Sequence, residues 1–196
     1  MNMINTIDTT IYELTIKLMN NGMTNFMLFM SHLGSAITLI VLTIAFILLL
    51  KNKTNSKFIA INLALVFIIN RILKLTVARP RPEVLKIVQE SGYSFPSGHS
   101  MVATGFYGFL IYLIYKNVEN KKIKYPLIVM LSILILLIGI SRVYLGAHYA
   151  TDVIGGWIIG IVYLAFFIKY AYKLSIKYIS CINIATNLET LTLPND

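Results

Sequence analysis

The chain has 196 residues, of which 57% are hydrophobic and only 13% are charged, and its formal net charge is +9. Soluble domains carry about a quarter of charged residues, so this composition argues against a soluble enzyme and favours a membrane protein. The single cysteine, Cys181, excludes an intramolecular disulfide and a two-cysteine metal or redox site. The positive charge does not indicate nucleic-acid binding, because the basic residues are not interleaved with aromatic residues for base stacking.

Residues 1–23 are not apolar enough to cross a bilayer. Their apolar residues recur at spacings of three and four, with charged residues between them: Ile4, Ile7, Ile11, Leu14 and Leu18. This pattern is typical of an amphipathic helix. We therefore expect residues 1–23 to form a helix that lies in the membrane interface.

Five apolar blocks follow, each of about 16 to 20 residues, which is close to the length that crosses ~30 Å of hydrocarbon as a helix. They are 33–50, 58–77, 99–115, 125–140 and 153–172. Strands would be shorter and would alternate, so the sequence predicts an all-α membrane bundle of five spans in one domain, 24–174. In the fifth block, Gly156 and Gly160 predict a helix-packing seam. We expect 175–196 to be a cytoplasmic tail.

Lysines indicate the orientation in the membrane. They cluster between the first two spans, between the third and fourth, and after the fifth: Lys51, Lys53, Lys57, Lys116, Lys121, Lys122, Lys124, Lys169, Lys173 and Lys177. Because cytoplasmic loops are enriched in lysine and arginine, these regions are expected inside the cell. The histidine and arginine clusters then fall on the extracytoplasmic side of the cell membrane.

His148 and Asp152 are four positions apart where the fifth span begins, so a helix that starts before His148 places both on one face. The carboxylate can then accept the Nδ1–H of the imidazole and leave Nε2 free to attack an electrophile. The alternative is that Asp152 only caps the helix and His148 is interfacial.

Ser97, Gly98 and His99 stand at the entrance of the third span. A serine can cap the helix, a glycine allows close approach of an anion to the backbone, and a histidine can protonate a leaving oxygen. The alternative is an ordinary serine-capped helix with a histidine beside it.

Cations near the ends of other spans suit a phosphate. Lys74 is costly inside a span, Arg81 follows seven positions later, and Arg142 ends the fourth span. Arg71 is expected to snorkel to the interface, and His32 to be structural or interfacial. Because separate segments place these groups on one membrane side, the sequence predicts a site that hydrolyses a phosphate ester.

Three ordered blocks carry a resemblance to a known family. They are Lys74-x6-Arg81-Pro82, Pro96-Ser97-Gly98-His99 and Ser141-Arg142-x5-His148-x3-Asp152. The chain resembles the type 2 phosphatidic acid phosphatase superfamily, which also includes glucose-6-phosphatase and the vanadium haloperoxidases. The flanking stretches 94–101 and 139–146 are similar to small bacterial membrane members that act as phosphatidylglycerophosphatases or undecaprenyl diphosphate phosphatases.

The resemblance implies a mechanism without metal or cofactor. His148 would form a phosphohistidine, Asp152 would orient it, and His99 would protonate the leaving lipid oxygen. Further groups would bind the phosphate oxygens: Lys74, Arg81, Ser97, Gly98 and Arg142. The substrate would be a lipid phosphate, phosphatidylglycerol phosphate or undecaprenyl diphosphate.

The usual helix count of the family differs from the five spans expected here. Most relatives have six membrane helices, so either one helix before the amphipathic segment is missing here or the recorded start is late.

The competing functions are a membrane protein that binds or transports lipid phosphates without hydrolysis, and a vanadate-dependent haloperoxidase. The second is disfavoured, because known haloperoxidases are larger and soluble.

Overall fold

The structure is a computed structural model that describes residues 3–83 and 87–174. The predicted tail and Cys181 lie outside this part of the chain. All regular structure within the described residues is helical, which confirms the all-α prediction. The helices are α1 (Met3–Lys17), α2 (Asn21–Leu33), α3 (Ala36–Leu49), α4 (Lys53–Val77), α5 (Gly98–Asn117), α6 (Lys121–Tyr144) and α7 (Ala150–Phe166), which continues as a π-helix over Phe167–Lys173.

Three helices are long and apolar enough to cross a membrane: α4, α6, and α7 with its π-helical extension. The pair α2 and α3 is bent by 50° and provides a fourth crossing if the pair is one span. The chain is thus a multi-pass membrane protein. The predicted count of five spans would also require α5, which is not among the apolar spans found in the described residues, and that count stays a prediction.

Helix α5 lies at the centre of the bundle. It packs against α4, α6 and α7, and its residues Met101, Phe106 and Phe109 are almost fully buried. Its side chains therefore face protein more than lipid. The backbone carbonyl of Gly105 accepts a hydrogen bond from Asn62 Nδ2 at 2.9 Å, which satisfies a polar group of α4 that would otherwise be costly in hydrocarbon.

Glycines bring α7 close to α5, as predicted for Gly156 and Gly160. A Cβ atom at Gly160 would lie 2.7 Å from Thr104 Cβ and 3.0 Å from the carbonyl oxygen of Met101. At Gly156 it would lie 3.0 Å from the carbonyl oxygen of Ser97. The seam holds α7 against the first turns of α5, where the candidate site residues are.

Helix α1 packs on α6 and α7. Its apolar residues Ile7, Leu14 and Ile16 are exposed, as expected for a helix in the interface, and that location stays a prediction. The polar face departs from the expectation, since Asp8 is only 7% exposed and is turned into the protein. The reason is an ion pair with Arg79, which follows α4, and two hydrogen bonds from Thr151 at the start of α7.

Several helix ends meet where the candidate site lies. Helix α4 ends at Ala78 in the left-handed conformation, with φ of 50°, and the prolines that follow prevent it from continuing. Gly146, with φ of 70°, turns the chain after α6. The backbone N–H of Ser97 donates to the carbonyl oxygen of Asp152 at 3.0 Å, which joins the start of α5 to the start of α7.

We expect Gly160→Ala to destabilise the protein by about 1–3 kcal/mol, because the added methyl group meets the backbone of α5, which cannot move aside. Gly22→Ala is the matched control, since its Cβ would find its nearest neighbour, Asn20 Oδ1, at 3.5 Å. Thermal unfolding of both variants in detergent measures the difference. Equal stability of the two would contradict a tight seam.

Candidate active site

His148 lies in the loop between α6 and α7 and is buried, at 3% exposure. Its Nε2 is 3.4 Å from Arg81 Nη1. A guanidinium can only donate hydrogen bonds, so in this contact Nε2 carries the lone pair and Nδ1 carries the proton. The nitrogen that faces the cation is therefore the one that can act as a nucleophile.

The link between His148 and Asp152 runs through a serine. His148 Nδ1 is 3.7 Å from Asp152 Oδ2, which is longer than a hydrogen bond. Ser94 Oγ lies 3.3 Å from Nδ1 and donates a short hydrogen bond to Asp152 Oδ2. The expectation of a helix that starts before His148 was wrong, because α7 begins at Ala150 and leaves His148 outside the helix. The two groups expected to pair, Nδ1 and the carboxylate, nevertheless face each other.

Asp152 is fully buried, and its carboxylate is compensated by further donors. Arg79 Nη1 donates to Oδ1 at 2.6 Å, and the backbone N–H of Tyr149 donates to Oδ2 at 3.0 Å. Asp152 thus also closes the first turn of α7, as the capping alternative expected. A buried carboxylate with three donors is held as an anion.

Lys74 and Arg81 hold the segment that leads into α5. Lys74 Nζ donates to the carbonyl oxygens of Tyr93 at 2.7 Å and Ser94 at 3.3 Å. Arg81 donates to carbonyl oxygens on both sides of the site: Ser91, Gly92 and Ala147. These bonds fix the positions of the two cations relative to His148.

Glu90 joins the two arginines of the signature blocks. Its Oε2 is 3.3 Å from Arg81 Nη2, and its Oε1 accepts a short hydrogen bond from Arg142 Nη2. Arg142 is only 2% exposed and also donates to Ser31, while its Nε has no hydrogen-bond partner among the described residues. The Glu90 carboxylate thus contacts both guanidinium groups.

The start of α5 completes the cluster. Ser97 caps the helix, and its Oγ accepts a hydrogen bond from Ser100 Oγ at 3.0 Å. Gly98 leaves room beside Lys74, whose Cε would be 3.8 Å from an added Cβ. His99 is the second residue of α5 and directly follows Gly98. The start of α5 therefore lies beside Lys74 and the first turn of α7, and the catalytic role of His99 stays a prediction.

Burial lowers the pKa of His148 to about 4. The carboxylate of Asp152 opposes this shift, and the nearby cations Arg81, Lys74 and Arg142 lower the pKa further. The imidazole is therefore neutral at physiological pH, which is the form that a nucleophile requires.

Ser94, Arg79, Glu90 and Asp8 contribute contacts that the sequence did not assign. Arg79 belongs to the same basic, proline-rich stretch as Arg81, and that proximity was the only signal for it. Nothing in the spacing of the other three indicates their partners. Arg71 and His32 are exposed, in agreement with their placement outside the site.

No group of three or more His, Cys, Asp or Glu side chains among residues 3–83 and 87–174 is arranged to hold a metal ion. The independence from metal and cofactors that the resemblance implies stays a prediction.

Comparison with known proteins agrees with this geometry. The family model described as the PAP2 superfamily matches residues 55–176. Phosphatidylglycerophosphatase B of Bacillus subtilis is 40% identical over 114 residues, which cover 56% of this chain and 54% of that protein. Undecaprenyl-diphosphatase BcrC of Bacillus subtilis is 32% identical over 109 residues, which cover 53% of this chain and 51% of that protein. The aligned regions thus span about half the length of these curated relatives.

Two solved structures have the same fold. The crystal structure of a transmembrane PAP2 type phosphatidylglycerolphosphate phosphatase from Bacillus subtilis superposes with a TM-score of 0.80 at 28% identity, over 88% of each chain. The structure of Aquifex aeolicus LpxE has a TM-score of 0.69 at 24% identity, over 83% of this chain and 94% of that one. The family resemblance is thus confirmed.

The low pKa of His148 predicts a pH dependence of stability. In the unfolded chain a histidine takes up a proton near pH 6.5, whereas the folded protein takes it up only near pH 4. Between these values the unfolded state binds more protons, so stability falls as the pH falls from 6.5 to 4, by about 3 kcal/mol. His148→Asn should remove this part of the dependence.

The free energy of unfolding of wild type and His148→Asn, measured in detergent at pH 7 and pH 4.5, tests this expectation. Other titrating groups contribute to both proteins, so the difference between them isolates His148. An equal loss of stability in the two proteins on acidification would contradict the buried neutral imidazole.

Proposed function

The chain belongs to the PAP2 superfamily, and from this premise we propose that it is a membrane phosphatase that hydrolyses a lipid phosphate through a phosphohistidine on His148. The main support for this proposal is the orientation of the His148 imidazole. Its Nε2 faces Arg81, and its Nδ1 faces Ser94 and Asp152. Nε2 therefore has a free lone pair for attack, and Nδ1–H has a hydrogen-bond acceptor when the ring becomes cationic.

In the first step, His148 Nε2 attacks the phosphorus and the bond to the lipid oxygen breaks. Charge on the transferring phosphoryl oxygens is stabilised by Lys74, Arg81 and Arg142, and by the free backbone N–H groups at the start of α5. The N–P bond leaves a positive charge on the imidazole. Asp152 stabilises that charge through Ser94.

In the proposed cycle His99 starts protonated, because the anionic phosphate bound beside it favours the cationic imidazolium, and it gives this proton to the departing lipid oxygen. In the second step it takes a proton from water, which attacks the phosphorus and breaks the N–P bond. Inorganic phosphate leaves, and His148 returns to its neutral form.

We propose phosphatidylglycerol phosphate or undecaprenyl diphosphate as the substrate. Support comes from the names of the two Bacillus subtilis relatives, a phosphatidylglycerophosphatase and an undecaprenyl-diphosphatase. A site where the ends of apolar helices meet suits a lipid, because a head group can enter while its tails remain in the bilayer. A protein that only binds lipid phosphates would need the cations but not the His148–Ser94–Asp152 arrangement.

The substrate and the intermediate can be tested together. Purified protein in detergent with EDTA is given phosphatidylglycerol phosphate, undecaprenyl diphosphate or phosphatidic acid, each labelled with ³²P in its terminal phosphate. We expect phosphate release from at least one of the first two and, after an alkaline quench, label on the protein. His148→Ala should lose both signals, because the nucleophile is absent.

His32→Ala is the matched control, since His32 is exposed and outside the site. Near-normal release by His148→Ala would contradict the phosphohistidine. Tight binding of all three lipids by the wild type without release would favour the binding protein instead.

We also propose that the active site faces the extracytoplasmic side of the cell membrane. The support is the lysine-rich loops at the other ends of the helices. Lys121 begins α6 and Arg142 lies near its end, and the 24 residues of this helix extend about 36 Å at 1.5 Å per residue. The two ends of α6 therefore belong to opposite membrane faces.

Single cysteines in a Cys181→Ser background test the sidedness. Gln89→Cys and Lys121→Cys both replace exposed residues. On intact cells an impermeant thiol reagent should label position 89 and not 121, whereas both should react after lysis. Labelling of 121 alone on intact cells would invert the topology.

A further inference from the structure

Helix α1 contributes a buried charge that no signature block contains. The side chain of Asp8 is 5% exposed, and its Oδ2 lies 2.8 Å from Arg79 Nη2. Thr151, in the first turn of α7, donates its backbone N–H to Oδ1 at 3.0 Å and its hydroxyl to Oδ2 at 2.8 Å. These contacts hold Asp8 against the helix that carries Asp152.

Arg79 connects Asp8 to the active site. Its Nη2 binds Asp8, and its Nη1 binds Asp152 Oδ1 at 2.6 Å and Thr151 Oγ1 at 2.8 Å. The guanidinium group lies 4.2 Å above the ring of Tyr149. One rigid cation therefore bridges two buried carboxylates with separate nitrogen atoms.

The sharing has an electrostatic consequence. Two carboxylates and one guanidinium carry a net charge of −1, so Asp152 keeps negative charge for Ser94 and His148. If Asp8 were neutral, Arg79 would compensate Asp152 alone. The carboxylate would then stabilise a cationic His148 less well.

We propose that Asp8 is a positioning residue of the active site, which acts through Arg79 to keep Asp152 oriented and negatively charged towards His148. Helix α1 is then a functional part of the phosphatase and not only a surface anchor. The proposal rests on the proposed function, because it concerns the charge that His148 acquires when phosphorus binds.

The decisive variant is Asp8→Asn, which removes the charge and keeps an oxygen for the N–H of Thr151. We expect kcat to fall about tenfold, the effect of about one pKa unit of charge interaction, while KM changes less than about twofold. The inhibition constant for vanadate, which mimics five-coordinate phosphorus on His148, should rise by the same factor as kcat falls. Glu13→Gln, an exposed change on the same helix, should behave as wild type.

These readouts separate positioning from folding. A variant that is merely less folded loses apparent kcat, but its remaining folded molecules keep the wild-type KM and vanadate inhibition constant. That result for Asp8→Asn would overturn the proposal, as would an unchanged kcat.

A double-mutant cycle tests the route through Arg79. In an Arg79→Gln background, Asp8→Asn should cause little further loss of vanadate affinity, because the shared cation is already absent. A second tenfold loss would show that Asp8 does not act through Arg79, and the proposal would fail.

Calorimetry of vanadate binding to the full chain in detergent separates a failure of the Asp8 proposal from a failure of the proposed function. If the wild type binds vanadate but hydrolyses no lipid phosphate, the proposed function fails while the Asp8 comparison can still be read from the vanadate dissociation constants. Equal constants for wild type and Asp8→Asn would overturn the role of Asp8 alone. A wild type that binds no vanadate would overturn both.

Discussion

The carboxylate of Asp152 has to be compensated, because it is fully buried at the end of an apolar bundle. Leaving such a charge without partners costs several kcal/mol. The partners come from different parts of the chain: Arg79 follows α4, Ser94 precedes α5, and the N–H of Tyr149 precedes α7. The segments around α4 and α5 are thus drawn onto the first turn of α7, and the same turn positions the loop that carries His148.

The bilayer environment explains why these polar groups gather in one place. Between the helices, Asn62 of α4 is satisfied inside the bundle by the carbonyl oxygen of Gly105 and by the hydroxyl of Tyr163. The small residues along α5 and α7 allow the helices to approach closely enough for this. The charged side chains of the site pair near the ends of the helices, where a set of carboxylates faces a set of cations. One contains the carboxylates Asp8, Glu90 and Asp152, and the other contains Lys74, Arg79, Arg81 and Arg142.

The sequence predicted the members of the site better than their connections. Lys74, Arg81, His99, Arg142 and His148 were identifiable because charged and imidazole groups are rare in so apolar a chain. The lysine distribution predicts that they lie on the extracytoplasmic side of the membrane. The start of α7 was predicted too early, since a spacing of four places two residues on one helical face only if the helix already includes the first of them.

Other contacts had no local signal. Ser94 is one serine in a turn-forming tract, and Glu90 and Asp8 meet their arginines only through the tertiary fold. The membership of α5 in the bundle was predicted from its apolar block. Its central position was not, because hydropathy does not distinguish a helix surrounded by protein from one surrounded by lipid.

A structure of the protein with vanadate tests the central claim most directly, because vanadate forms a five-coordinate complex that resembles the transition state of phosphoryl transfer. The account predicts a bond from vanadium to His148 Nε2, with vanadate oxygens within hydrogen-bond distance of Arg81 and Arg142 and with His99 beside the oxygen that represents the leaving group. Vanadium bonded to His99, or vanadate bound without contact to His148, would contradict it.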